Sequence, residues 1–422
     1  MDRNKKNNNV PKLRFPGFVG EWEEKKLGKI ANKINRRNRA LDVTRVLTNS
    51  ANAGVVDQNE YFDRDIAIKG NTDNYHIVEQ NEFVYNPRIS ATAPVGPISI
   101  NKIGRGIMSP LYTVFRFHSG HIPFFEQYFQ TTIWHPYLKS IANFGARFDR
   151  MNISTEGFFD MPIYLPSDIE EQRKIASCLS ALDDIIVTET NKLEALKAHK
   201  KGLMQQLFPQ GIESTPRLRF PGFSGEWEEK ALGEVGTFVR GLSYNKGEVT
   251  QNNKSTLVLR SNNIVQDTAV DCKNGLQFVT KEPSSEQILR KGDIVICLSN
   301  GSSNLVGKSA SYEGDYDGVV TVGAFCGIYR STAPITKYLV QTPAYKKSID
   351  LIKQGGNGAL ANLYGREILR LKFYFPSPKE QKKIAECLMA LDDIIVTETN
   401  KLEALKAHKK GLMQQLFPQP SK

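Results

Sequence analysis

No apolar run in the chain approaches the roughly 18 residues that a membrane-spanning helix needs, so a transmembrane segment is excluded. Residues 1–9 are polar and rich in Asn and Lys, with no apolar stretch of the kind a secretory leader carries. A cytoplasmic location with no membrane partner is expected. Cysteine is scarce: Cys178, Cys272, Cys297, Cys326 and Cys387 are the five among 422 residues. None belongs to a CxxC pair, which argues against a zinc ribbon, and an odd, scattered set argues against a disulfide framework. Acidic residues fall short of basic ones, 45 against 56, for a formal net charge of +11. That balance favours polyanionic partners, nucleic acid first; a merely basic cytosolic protein is the other reading. The length exceeds one ordinary domain and fits roughly two to four.

Catalytic constellations are missing too. Gly301 to Ser309 resembles a phosphate-binding loop, but five residues separate Gly301 from Gly307 where about four are required, and 310–318 is not helix-like. A turn is expected there. Asn86-Pro87-Arg88-Ile89 lacks the second proline and the aromatic residue of an amino-methyltransferase loop, and no glycine-rich cofactor loop precedes it. Glu23-Glu24-Lys25 and Glu228-Glu229-Lys230 lack the acidic partner of a nuclease site and read as solvated charge. His118-Ser119-Gly120-His121 has no Glu or Cys ligand nearby, so no metal site is expected. His199 and His408 stand among lysines near a helix C-terminus, where a cation is favourable. No catalytic residue, metal ligand or cofactor site is assigned to the chain.

What is present is a sequence written twice. Residues 11–30 and 216–235 agree at 15 of 20 positions, and residues 171–210 and 380–419 differ only at Arg173/Lys382, Ser177/Glu386 and Ser180/Met389. Between these copies lie two segments, about 31–165 and 236–375, that barely resemble each other. A faint shared frame survives in them. Asn81 to Val84 aligns with Gly292 to Val295, Val95-Gly96 with Val306-Gly307, and Phe115-Arg116 with Tyr329-Arg330. Tyr137, Lys139, Ser140 and Ile141 align with Tyr345, Lys347, Ser348 and Ile349. The chain reads as two equivalent mounts that carry two different heads.

The repeated 171–208 stretch is rich in helix formers and lacks internal proline; Pro166-Ser167-Asp168 and Pro209 punctuate its ends. Ile175, Leu179, Leu182, Ile186, Leu193, Leu196, Leu203 and Leu207 fall at alternating steps of four and three, with Glu189 and Lys200 as polar seam positions. The second copy repeats the seam at Ile384, Leu388, Leu391, Ile395, Leu402, Leu405, Leu412 and Leu416. This is a coiled-coil period, and each copy is the obvious partner of the other. Pairing in parallel or antiparallel is open from the period alone; two equivalent mounts about a pseudo-twofold axis require antiparallel helices. An amphipathic helix packed on its own head is the alternative. Matching exposed faces would offer equal docking sites to two copies of one partner, although recent duplication would also leave them alike.

The 31–165 segment has 14 basic and 12 acidic residues and the 236–375 segment 17 and 11, so the heads hold +2 and +6 of the net charge. Strands are expected at 98–100, 113–117, 256–259, 293–298 and 318–322, and helices near 124–142 and 335–353. Basic, amide and hydroxyl residues gather in expected loops, the types that contact phosphates and base edges. In the first head these are Arg36, Arg37, Arg39, Arg88, Ser90, Lys102, Arg105, Asn143, Arg147 and Arg150. In the second they are Arg260, Asn262, Asn263, Ser299, Asn300, Ser302, Lys308 and Asn357. Any single cluster is more readily a solvated loop than a base reader; together, on two divergent basic heads, they favour DNA. Arg147 and Arg150 in the first head, and Asn262 and Asn263 in the second, are expected to approach it most closely.

The fold class expected is α+β: two mixed α/β domains separated by two long helices that form an antiparallel coiled coil, with a pseudo-twofold internal repeat. Taken with the duplicated Pro166-Ser167…Glu171-Gln172-x-Lys174-Ile175-Ala176…Leu182-Asp183 and Pro376-Ser377…Glu380-Gln381-x-Lys383-Ile384-Ala385…Leu391-Asp392, this plan resembles the specificity subunit of Type I restriction–modification systems. The Lys-Lys-Gly-Leu-Met-Gln-Gln-Leu-Phe runs at 200–208 and 409–417, the openings Glu21-Trp22…Leu27-Gly28 and Glu226-Trp227…Leu232-Gly233, and Lys291 to Val295 add to it. The resemblance runs from about Pro11 to Phe417.

That resemblance implies a disordered tail at 1–10, target-recognition domains at 11–165 and 211–375, and coiled-coil helices at 166–210 and 376–422. Each recognition domain would read one half of a bipartite site on double-stranded DNA. The helices would set the gap between the halves and dock two modification (methyltransferase) subunits. Two restriction (translocase and nuclease) subunits would complete the complex. S-adenosylmethionine, ATP and Mg would be bound by those partners and none by this chain. The rival readings are a stand-alone sequence-specific DNA-binding protein, an enzyme whose motif is hidden, and a coiled-coil scaffold. Two unlike heads on one chain disfavour the first, because a repressor obtains twofold readout by homodimerising.

Overall fold

The computed structural model describes residues 9–61, 72–143, 149–211, 213–265, 269–354 and 362–419. The chain divides into two compact units, Met1–Thr190 with Asn400–Lys422, and Asn191–Thr399. The division does not follow the segments read from sequence. Each long helix, Ile169–Leu207 and Pro378–Leu416, contributes its first part to one unit and its last part to the other. A 39-residue helix is roughly 58 Å long.

In the first unit, strands Ala31–Lys33, Thr113–Phe117, Phe83–Tyr85 and Ile98–Ile100 form one sheet in that spatial order, with antiparallel neighbours throughout. Alternation along the strands sorts their side chains to two faces. Phe83, Phe115 and Phe117 meet Phe124, Phe125 and Phe129 of helix Ile122–Phe129 in an aromatic core, where Phe117 stacks on Phe125 at 3.8 Å. Val84 and Val114 face the other way, onto Leu47, Val55, Val78 and Met108 of two short ladders, Leu47–Ser50 with Gly54–Asp57 and His76–Val78 with Gly106–Met108. Both faces are covered, which is why the sheet strands carry apolar residues on each side.

The second unit has the same central sheet in the same order: Gly236–Arg240, Cys326–Ser331, Ile294–Cys297 and Ser309–Ser311. Phe83 pairs with Phe115 and Ile294 with Tyr329, so the faint frame in the sequence marks equivalent ladder positions. The covering layer differs. Here it is a four-stranded sheet of Val249–Thr250, Phe278–Val279, Thr256–Leu259 and Val320–Val322, with the last pair parallel. The heads thus share a fold at the centre and diverge in what lies over it.

Each expected head helix is broken. The 124–142 stretch is two helices, Ile122–Phe129 and His135–Ile141, and 335–353 is Thr336–Leu339 and Pro343–Gln354. Pro136 and Pro343 sit in the first turns of the later helices, where proline is tolerated only because no intrahelical donor is needed. Strand 293–298 is trimmed to Ile294–Cys297 and 318–322 to Val320–Val322. Strand Ser309–Ser311 follows Lys308, so the helix a phosphate-binding loop requires is not there.

A two-stranded antiparallel ladder ties each head to its helices: Glu23–Lys26 with Pro162–Leu165, and Glu228–Ala231 with Lys372–Phe375. Ile175, Leu179, Leu416 and Phe417 enter the first core, where Phe417 meets Trp22 at 5.9 Å. Leu207, Phe208, Ile384 and Leu388 enter the second, where Phe208 meets Trp227 at 6.4 Å. The two long helices therefore exchange roles between the units.

Their pairing runs antiparallel within each unit. In the first, Glu189 pairs with Lys401 at 2.5 Å and Asp183 with Lys409 at 2.5 Å. In the second, Glu398 pairs with Lys192 at 2.5 Å and Asp392 with Lys200 at 2.6 Å. As one residue number rises the partner's falls, and each pair is the exchanged image of another. Every seam residue named from the heptads is buried or half-buried.

Candidate DNA interface

Three chain segments meet where the central strand of each head ends. In the first head that strand is Phe83–Tyr85. Asn86 Nδ2 donates to Asn49 O at 2.9 Å, Ile89 N to Asp149 O at 3.0 Å, and Met151 N to Pro87 O at 3.0 Å. Backbone bridges join Arg88 to Arg150 and Asn143 to Asn152. Asp149 lies between two guanidiniums, 3.7 Å from Arg88 and 3.8 Å from Arg150. So Arg88, Ser90, Asn143 and Arg150, distant in sequence, share one edge of the head. Arg147 lies outside the described residues.

The second head repeats the arrangement after Ile294–Cys297. Leu363 N donates to Leu298 O at 2.9 Å, and Ser299 bridges Asn362. Asn300 Nδ2 donates to Ser261 Oγ at 2.9 Å, which draws the 260–263 turn into the group. Arg260 Nη2 and Asn262 Nδ2 donate to Gly275 O at 3.1 and 3.4 Å. Arg260, Asn262, Ser299, Asn300 and Ser302 are brought together, with Asn262 and Ser302 exposed. Asn357 lies outside the described residues.

Some expected contacts are committed elsewhere. Asn263 is buried; its Nδ2 donates to Asp271 O and Asn274 O, and its Oδ1 accepts from Arg260 N. It holds the turn in shape and presents nothing to a ligand. Arg36 pairs with Glu82, a fully buried carboxylate that Arg116 also reaches at 3.2 Å. Glu82 Oε2 accepts from Glu79 N at 2.8 Å. Asp293 repeats this in the second head, accepting from Arg290 N at 2.8 Å and from Arg330 Nη2 at 2.6 Å. A buried acid of this kind needs its cation, so Arg36 is in part a structural counter-ion.

Arg37 Nη1 donates to Asn74 O at 2.5 Å, beside His76. Burial, with Arg37 and Lys33 nearby, pushes His76 down to about 4, so it adds no charge near neutral pH. Lys102 pairs with Glu126 at 2.6 Å, and Arg105 reaches Asp42 and Glu79 at 3.6 Å. Arg39 is exposed. These residues form a second basic group, partly neutralised by acids. Lys308 lies at the root of the 299–302 loop, where its O accepts from Cys297 N at 3.0 Å.

Sequence reasoning passed over the clamps that set each head on its helix. Arg14 Nε and Nη2 donate to the Glu171 carboxylate at 2.8 and 2.7 Å, and Arg219 does the same to Glu380 at 2.9 and 2.7 Å. Glu171 and Glu380 are buried. The signal was available: Leu-Arg-Phe-Pro-Gly-Phe and Glu-Gln are among the duplicated stretches.

Residues 20–198 and 224–407 each match the Type I restriction modification DNA specificity domain, and the chain belongs to that family. It is 27% identical over 273 residues to the Type I restriction enzyme MjaVIII specificity subunit of Methanocaldococcus jannaschii, covering 62% of this chain and 62% of that one. It is 31% identical over 172 residues to the Type I restriction enzyme EcoKI specificity subunit of Escherichia coli strain K12, covering 39% and 36%. The matches thus span less than two thirds of these relatives' length. The crystal structure of a Type I restriction–modification S subunit from M. genitalium shares the fold with a TM-score of 0.62 at 15% identity, over 98% of this chain and 100% of that one. Among the described residues no helix is long and apolar enough to cross a membrane.

Proposed function

We propose that this chain is the DNA-recognition subunit of a Type I restriction–modification complex and catalyses no reaction itself. Each head, 11–165 and 211–375, reads one half of an interrupted site on double-stranded DNA. The long helices set the interval between the halves and dock two modification subunits; two restriction subunits join in the full complex. S-adenosylmethionine, ATP and Mg belong to those partners, and the assembly works in the cytoplasm.

The observation that carries this reading is the pairing of likeness with difference. Two heads match one DNA specificity domain and share a central sheet, yet their edge loops carry different donors. Arg88, Ser90, Asn143 and Arg150 in one head, and Arg260, Asn262, Asn300 and Ser302 in the other, have the chemistry for two different half-sites. The mounts are near-identical at 37 of 40 positions, with 3 changes, as two docking sites for one partner type require.

The test is a methylome. The chain is expressed with its cognate modification subunit in a methylation-free host, and modified adenines are mapped across the genome. One interrupted motif, present only when both chains are expressed, is the expected result. The same motif methylated without this chain overturns the proposal. No methylation with both proteins soluble turns the reading to a stand-alone DNA-binding protein.

A further inference from the structure

In each head a tight turn leads into the strand that pairs with the central one. Tyr112 N donates to Ser109 O at 3.1 Å ahead of Thr113–Phe117, and Cys326 N donates to Gly323 O at 2.8 Å where Cys326–Ser331 begins. The shared frame that equates Phe115-Arg116 with Tyr329-Arg330 equates these two turns residue for residue. The third residue of the turn is Leu111 in the first head and Phe325 in the second, 54% and 69% exposed. Tyr112 and Cys326, which follow them, pack inward against the covering layers. Gly, Asn, Asp and Ser are the residues such turns ordinarily hold. A single exposed apolar side chain is common on a protein surface. Large apolar residues exposed at the same point of two heads, whose loops otherwise diverge, point to a shared use.

Both turns stand at the end of the sheet from which the interface loops depart. Tyr85 faces Thr113 across the antiparallel ladder, so the turn bearing Leu111 lies beside the point where Asn86 to Arg88 leave their strand. In the second head Cys297 faces Cys326, and Phe325 O accepts from Leu298 N at 2.8 Å and from Ser299 N at 3.2 Å. Phe325 is therefore a backbone neighbour of the loop that offers Ser299, Asn300 and Ser302. Arg240, itself exposed, donates from Nε to Ala324 O at 3.2 Å, which puts a guanidinium beside the same turn.

We infer that Leu111 and Phe325 are apolar wedges, each entering a base step of the half-site its head reads and parting the stack there. Leu and Phe are among the side chains that open base steps in this way, at a cost repaid by the contacts the opened duplex permits. An apolar side chain can also meet a thymine methyl, but that contact reads one base and would serve one half-site only. The donors around the two turns differ between the heads, as readers of different sequences must, while the turn position stays large and apolar in both. Opening a step is a need the two halves share, because a base must leave the stack before it can be methylated. This inference rests on the DNA-recognition reading above.

The test uses the full chain assembled with its modification subunits on a duplex that carries the methylated motif. The bound duplex is probed with permanganate, which oxidises thymines that have lost their stacking; the thymine opposite each target adenine is a reporter in its half-site. The parental complex is expected to make a thymine reactive in each half. Phe325→Ala is expected to lower that reactivity by about tenfold in one half, and Leu111→Ala in the other. Methylation of the affected half slows, while the motif and the Tm stay parental. Phe325→Leu and Leu111→Phe keep the reactivity, since either side chain can fill the step. Parental reactivity in both halves with both alanine variants overturns the wedge. So does a bound parental complex with no reactive thymine in either half. A motif that loses one base pair of its specificity in an alanine variant also overturns it, because the residue then reads a base. A parental complex that fails to bind the duplex overturns the DNA reading instead, a separate outcome.

Discussion

Two glycines decide how each head's interface loop is aimed. Gly96 and Gly307 hold φ of +78° and +87°, where a side chain is strained. A Cβ at Gly96 would stand 2.0 Å from Asn86 O, and one at Gly307 2.3 Å from Ile349 Cγ2. Backbone cannot yield as a side chain can. Gly96→Ala is therefore expected to cost more than Gly307→Ala, and both more than about 2 kcal/mol. Chemical unfolding of the two variants checks the order. Charge state is set at the residue scale as well. Burial pushes His76 and His135 down to about 4, and both lie in the first unit. Their unfolded value is near 6.5, so the unfolded chain takes up more protons below that pH. Stability from these groups is complete above about pH 6.5 and declines as pH falls towards 4. The first unit is expected to lose stability between pH 6.5 and 5 ahead of the second, which calorimetry across that range would detect as two separating transitions.

At the scale of the element, polar seam positions do what a leucine would not. Lys200 is buried and pairs with Asp392, which also accepts from Tyr338 Oη at 2.9 Å. Lys409 is buried in the same way and pairs with Asp183, which also accepts from Gln127 Nε2 at 2.9 Å. Slipping one helix by a turn would bury each lysine against apolar side chains. Asp392→Ala leaves Lys200 buried without its partner and is expected to cost about 3 kcal/mol. Lys200→Met combined with Asp392→Leu should recover most of that. Additive losses across this double-mutant cycle would show that the pair is not coupled. The more exposed lysines of the Glu189–Lys401 and Glu398–Lys192 pairs hold them below about 1 kcal/mol each.

At the scale of the whole molecule, each unit is completed by a helix end that lies far away in sequence. The first needs Leu416 and Phe417, which pack against Trp22 and Phe124. A chain stopped at Thr399 would lose that cover, together with Lys401 and Lys409. Its first unit is expected to unfold at lower temperature and to expose Trp22 to quenching, while its second unit, Asn191–Thr399, keeps every contact of its own. Limited proteolysis resolves the two; equal loss in both units would refute the division.

The repeats, the heptad seam, the antiparallel consequence of two equivalent mounts and the α+β class were all legible in the chain, because period and repetition are local facts about order. Strands such as Thr113–Phe117 and Thr256–Leu259 were legible for the same reason. The site was legible only as residue types. Arg88 and Arg150, or Ser261 and Asn300, stand too far apart in sequence for any local pattern to join them. Asn263 and Arg36 look like their neighbours in sequence, yet one is buried in its turn and the other answers a buried acid. Sequence determined the repeated plan, since each local preference agrees with it. Tertiary structure alone decided which charges face outward, because that depends on which distant segments pack against them.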